Sequence, residues 1–248
     1  MKTANPALGT ETFYKVRNYA NASDLMTVQG TANKTLILIL LSIVSSIWVW
    51  KMFYSGGQAN IFPYMIGGAI GGFIVSIITI FKNEWSAFTA PLYALLEGLF
   101  LGGISAMFEA RYPGIAFQAV SLSFGTLLCL LVAFKSGLIR VSERFKMGVI
   151  AATSALFLVY FVSFLLGLFG IQIPGIFGSG TIGIIFSLIV VVVAALNLVL
   201  DFDFIVKGAA GGAPKYMEWY GAFGLMVTLV WLYIEILRLL AKLNSDND

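Results

Sequence analysis

Residues 182–206 read IGIIFSLIVVVVAALNLVLDFDFIV. Apart from Ser187, Asn197, Asp201 and Asp203, the run holds only apolar side chains and a glycine, and as an α-helix it would be about 38 Å long. About 20 helical residues suffice to cross the hydrocarbon core of a bilayer, so the run reads as a transmembrane helix and sets the fold class. Its carboxylates are the anomaly. A carboxylate near the middle of a membrane helix costs roughly 2.5 to 3.5 kcal/mol on insertion scales, and one that is kept usually faces a partner, a cavity or an ion path. Asp201 and Asp203 are therefore the first candidates for function.

Outward from this run, six further apolar stretches reach spanning length: 35–54, 61–81, 86–108, 115–134, 147–169 and 218–241, with the quoted run filling 181–206. The chain is 59% hydrophobic and only 11% charged, with a mean hydropathy of +0.93, values that exclude an ordinary soluble domain. The expected architecture is an all-α membrane protein, a seven-transmembrane-helix bundle over 35–241, with tails at 1–34 and 242–248. Breakers and charges mark the connections, among them Lys82-Asn83-Glu84, Arg111-Tyr112-Pro113-Gly114, Pro174-Gly175 and Gly208 to Pro214. Residues 1–33 show no apolar core followed by a small-residue cleavage site, so no cleavable signal is expected.

The basic residues divide unevenly between alternate sides. One side collects Lys2, Lys15, Arg17, Lys34, Lys82, Lys135, Arg140, Arg144, Lys146, Lys207 and Lys215; the other has Lys51, Arg111, Arg238 and Lys242. The positive-inside rule then predicts a multi-pass protein of the cell (plasma or inner) membrane, N-terminus cytoplasmic and C-terminus external. Because the cations flank apolar runs instead of forming a stripe, nucleic acid is not an expected partner; the lipid bilayer is.

The inventory of reactive groups is short. The chain has no histidine and one cysteine, Cys129, which removes intrachain disulfides and the usual zinc ligands. No P-loop, nucleophile elbow, histidine zinc motif or EF-hand loop is present. An aspartyl protease would draw its two aspartates from different helices, whereas Asp201 and Asp203 share one. The chain is read as a non-enzyme without a cofactor.

Position along each stretch converts to depth at about 1.5 Å per residue. Glu97, Asn197 and Thr228 all fall about 15 or 16 Å into their helices and form one central layer in this reading. Asp201 follows Asn197 by one turn on the same face, where the two would line one path. Asp203 is rotated by about 200° and meets Lys207 four residues on, which suits an interfacial ion pair. Glu97 reads equally as a buried polar lock or as a proton-sensitive pore residue. Toward the external side, Glu235 and Arg238 are one turn apart, and Glu109 should reach a similar depth. Two carboxylates around one guanidinium make either a structural clasp or an external gate.

Small residues repeat at Gly67-x-x-x-Gly71, Gly68-x-x-x-Gly72 and Gly98-x-x-x-Gly102, which predicts close helix packing inside the bundle. Trp48, Trp50, Trp85, Trp219 and Trp231 read as an interfacial belt, with Trp231 its least typical member.

Several runs together resemble a known family over nearly the whole chain. They are AALNLVLDFDFIVKG (194–208), Gly212-Ala213-Pro214-Lys215, Met217-Glu218-Trp219-Tyr220 and LVWLYIEILRLLAKL (229–243). With them go Asn5-Pro6-Ala7-Leu8, Met26-Thr27, and Glu97-Gly98-Leu99-Phe100-Leu101-Gly102 running on to Phe108-Glu109. The pattern resembles the YccA branch of the Bax inhibitor family. That resemblance implies a seven-helix fold with helix 7 central, and a pH-sensitive calcium leak in which aspartates on helices 6 and 7 close the pore until protons bind. Asp201, followed by Ile205, matches the helix 6 aspartate. When Leu237-Arg238 is set on the family's terminal Leu-Arg, the second aspartate position falls at Thr228, so the carboxylate pair is incomplete. Glu97 is the available replacement.

The expected function is a pH-sensitive passive cation leak, calcium first, lined by Asp201, Asn197 and Glu97 with Thr228 and Asp203 nearby. Calcium prefers six to eight oxygen ligands, so only transient coordination at Asp201 is expected and no stable metal site. Glu109, Glu235 and Arg238 brace or gate the external side. The alternative is an interaction protein that regulates membrane proteolysis or stress responses without conducting, its partner a membrane protease or other membrane protein. A proton-coupled transporter is the third reading.

Overall fold

The computed structural model describes residues 25–56, 58–171 and 175–245. Lys2, Lys15, Arg17, the run Asn5-Pro6-Ala7-Leu8, Pro174 and the last three residues lie outside the described residues. The chain forms α1 (Val28–Gly56), α2 (Gln58–Phe81), a 3-10 turn at Asn83–Trp85, α3 (Ser86–Arg111), α4 (Ile115–Lys135), α5 (Glu143–Leu168), α6 (Thr181–Ala210) and α7 (Met217–Ser245). All seven α-helices are long and apolar enough to cross a membrane. Among the described residues there is no strand, only an isolated antiparallel bridge between Leu25 and Pro214.

The helix ends shift for local reasons. α1 begins at Val28, ahead of the expected 35, because the Gly30 N–H donates to Thr27 Oγ1 at 2.9 Å and caps it there. Its polar first turns, with Gln29, Asn33 and Lys34, carry no hydropathy signal. α5 begins at Glu143 instead of 147 because Ser142 Oγ accepts from the Phe145 N–H at 3.2 Å. α7 continues to Ser245, four residues beyond the expected end at 241.

The chain forms two compact units, one of the residues up to Arg111 with Asp201–Val227, the other of Tyr112–Leu200 with the residues from Thr228 onward. In the first, α1 and α2 both pack on α3. Val49, Ile61 and Met65 make a core there with Met52, Phe53, Leu99, Ile104 and Met107. Missing side chains allow this approach. A Cβ at Gly98 would overlap Ser42 and Ser45 of α1, one at Gly102 would overlap the Ser46 backbone, and one at Gly68 of α2 would press on the Leu96 carbonyl. Ser46 Oγ adds a 2.8 Å hydrogen bond to the Gly98 carbonyl. Gly67 corrects the expectation for its own motif: it is exposed, and a Cβ there would meet nothing within 4 Å.

In the second unit Leu156, Val190 and Val193 form a core with Ala152, Tyr160, Phe186 and Trp231. Trp231 is thus a packing residue and not part of a belt, whereas Trp48 and Trp85 are exposed. Cys129 is exposed on α4. Large apolar side chains also face outward, for example Phe73, Phe88, Phe157 and Phe164, as a lipid-facing surface requires. α7 is the most deeply buried of the seven helices and α5 the least.

Candidate functional site

α6 carries the polar residues that the sequence singles out. The Asp201 side chain is completely buried, and Asn197, one turn before it, is buried as well. Asn197 Nδ2 donates to Thr153 Oγ1 of α5 and to the Val193 carbonyl, each at 2.8 Å. Thr153 in turn donates its hydroxyl hydrogen to the Val149 carbonyl at 2.9 Å. That hydroxyl can therefore only accept from Asn197, which fixes the amide with its nitrogen toward α5. Asn197 is a tie between α5 and α6, a role its spacing from Asp201 did not reveal. Thr228 is buried on α7.

Asp203 pairs with Lys207 at 2.6 Å, the i, i+4 contact expected from its position. With Lys207 about a third exposed, this is a helix-end ion pair of small energetic weight.

Glu97 is half-buried near the middle of α3. Its carboxylate lies over Gly72 of α2, where a Cβ would come within 2.9 Å of Oε2. The second glycine of the Gly68/Gly72 pair thus makes room for a carboxylate at membrane depth.

Glu235, buried on α7, pairs with Arg238 Nη1 at 3.1 Å. A further donor is Tyr160 of α5, whose hydroxyl lies 3.2 and 3.3 Å from the two carboxylate oxygens. In the sequence this partner is only a phenol in an apolar helix. Lys242, one turn after Arg238, donates to the carbonyls of Ile176 and Gly183 at 3.2 and 3.0 Å and ties the start of α6 to the end of α7. Glu109, the expected third member of the clasp, is half-buried near the end of α3.

Sequence reasoning missed one polar cluster as a site. Glu218, in the first turn of α7, is completely buried. It accepts from the Thr27 N–H at 2.9 Å and from Thr27 Oγ1 at 2.8 Å, pairs with Lys215 at 3.0 Å, and forms a close ion pair with Lys34. Lys34 also stands over the Trp219 ring, 5.4 Å from its centroid. Around this carboxylate the Met26 N–H donates to the Ala213 carbonyl at 2.7 Å, and Ser86 Oγ donates to the Tyr216 carbonyl at 3.0 Å. The starts of α1, α3 and α7 thereby meet at one end, which is what strict alternation of seven spans demands of odd-numbered helices. Met26-Thr27 and the run from Gly212 to Tyr220, distant in sequence, prove to be one piece of structure.

A family model described as Bax inhibitor 1 like matches residues 5–245, a range that includes every described helix. No curated protein and no solved structure matches the chain.

Proposed function

The chain belongs to the Bax inhibitor 1 like family, and on that premise we propose that it is a passive, pH-sensitive cation leak in the cell membrane, with calcium the foremost ion. The observation that carries this reading is Asp201: a carboxylate with a completely buried side chain, on a helix long and apolar enough to span a bilayer. Membrane helices keep such a group at a cost, and ion and proton pathways are its common use. Glu97, over the notch at Gly72, is the second acidic group of the path. The charge distribution supports a cytoplasmic N-terminus and an external C-terminus. Nothing in this scheme requires a chemical step, and the protein acts without catalysis.

Calcium entry into liposomes containing the purified protein, followed across a pH series, tests the reading. Wild-type flux should rise as pH falls, Asp201→Asn should flatten that dependence, and Glu97→Gln should lower the flux. Absence of flux from wild type at every pH would sink the leak. A non-conducting protein that still captures a membrane protease would instead make it a regulator of membrane proteolysis.

A further inference from the structure

In a self-contained capping box, the cap hydroxyl accepts the N–H of the third helical residue, whose Glu or Gln side chain reaches back to the N–H of the cap. The start of α1 has only the first half. Thr27 Oγ1 accepts from the Gly30 N–H at 2.9 Å, but the third residue is a glycine and cannot return the bond. Glu218 of α7 returns it, accepting the Thr27 N–H at 2.9 Å. Its carboxylate occupies the volume a side chain at position 30 would take, since a Cβ built on Gly30 would overlap it. The box is closed in trans, by a different helix.

From the α1 side Thr27 twice and Lys34 converge on that one carboxylate, with Lys215 as a counter-ion from its own side. Immediately before the bridged residues Ala213 and Pro214, the connection from α6 contains Gly211 and Gly212, the latter at φ +71°. The backbone bridge from Met26 to Ala213 adds a second attachment, and a glycine pair beside it lets the connection turn when the box and the bridge open together. We propose that the trans capping box is a latch, with Glu218 as its positioning residue. Closed, it holds the first turn of α7 against the start of α1 and keeps the protein in its low-leak form; open, it frees the start of α7 and raises the leak.

The gating half of this inference rests on the leak reading; the latch itself does not. Hydrogen exchange measured on the full-length protein in lipid nanodiscs, beside calcium flux at fixed pH, tests both. Gly30→Ala leaves every charge in place but displaces the carboxylate, and should speed exchange at 25–31 and 213–220 by about tenfold, the scale of a lost helix cap. Glu218→Gln is the milder second variant and should do so by a smaller factor. The double variant Gly30→Glu/Glu218→Ala moves the box into α1, so protection should return at 25–31 while 213–220 stays fast. Flux should rise severalfold in Gly30→Ala and in the double variant. Wild-type protection at both segments in Gly30→Ala, or its return at both in the double variant, would overturn the latch. Faster exchange with unchanged flux would overturn its role in gating. A wild type that conducts nothing would defeat the leak reading while the exchange result still decides the latch.

Discussion

Gly98 and Gly67 occupy the same kind of sequence motif, and the structure separates them. Alanine at either position gains helix propensity, roughly 0.5 to 1 kcal/mol, because glycine costs that much in a helix interior. At Gly67 nothing opposes the gain, since the added methyl would meet no atom within 4 Å. At Gly98 the methyl would overlap Ser45 Oγ and the backbone of Ser42. A serine hydroxyl can rotate away, but the Ser42 carbonyl moves only if α1 moves, so α1 and α3 must separate. Overpacking of this kind costs about 1 to 3 kcal/mol, and separation also stretches the 2.8 Å bond from Ser46 Oγ to the Gly98 carbonyl. The net expectation for Gly98→Ala is a loss of about 1 to 2 kcal/mol, or roughly 2 to 8 °C in melting temperature for a chain of this size. Gly67→Ala should melt at or slightly above wild type. Thermal unfolding in detergent, followed by loss of the monodisperse peak on size exclusion, measures both. Equal melting temperatures for the two variants would refute the claim that α1 and α3 touch through Gly98.

Two further outcomes follow from the polar contacts. In a double-mutant cycle, Asn197→Ala and Thr153→Val should show a coupling of about 0.6 to 1.7 kcal/mol in unfolding, the range seen for hydrogen bonds between membrane helices; strict additivity would mean the tie is absent. Asp203→Asn removes a partly exposed i, i+4 pair worth about 0.3 to 0.5 kcal/mol, so its melting temperature should stay within about 2 °C of wild type and its flux should keep the pH dependence that Asp201→Asn loses.

The parts of the structure legible in the sequence are those with a local signal. Seven apolar runs gave seven helices, because length and hydropathy act on each segment separately. The Asp203–Lys207 and Glu235–Arg238 pairs were readable for the same reason: their partners lie within one turn. The start of α1 was not, since its first turns are polar and its cap is a threonine whose bond to Gly30 leaves no trace in hydropathy. Least legible was Glu218, whose hydrogen-bond partner Thr27 lies 191 positions away. Its signature is a side chain absent from position 30, and an absence reads as an ordinary glycine until the other helix is in place. Tyr160 was missed for a related reason: helix periodicity says which face a phenol takes, but not which carboxylate faces it.

The orientation of the Asn197 amide bears on which ions this region of α6 would tolerate. Both hydrogens of its NH₂ group are committed, one to a hydroxyl that can only accept and one to a main-chain carbonyl. The group cannot turn over without placing oxygen against oxygen. What it has left to offer is therefore negative, a carbonyl-like oxygen one turn from a buried carboxylate. A side chain usually regarded as neutral and two-faced is here locked into one polarity, and in the proposed leak it would act along this stretch of helix as a fixed dipole that favours cations over anions.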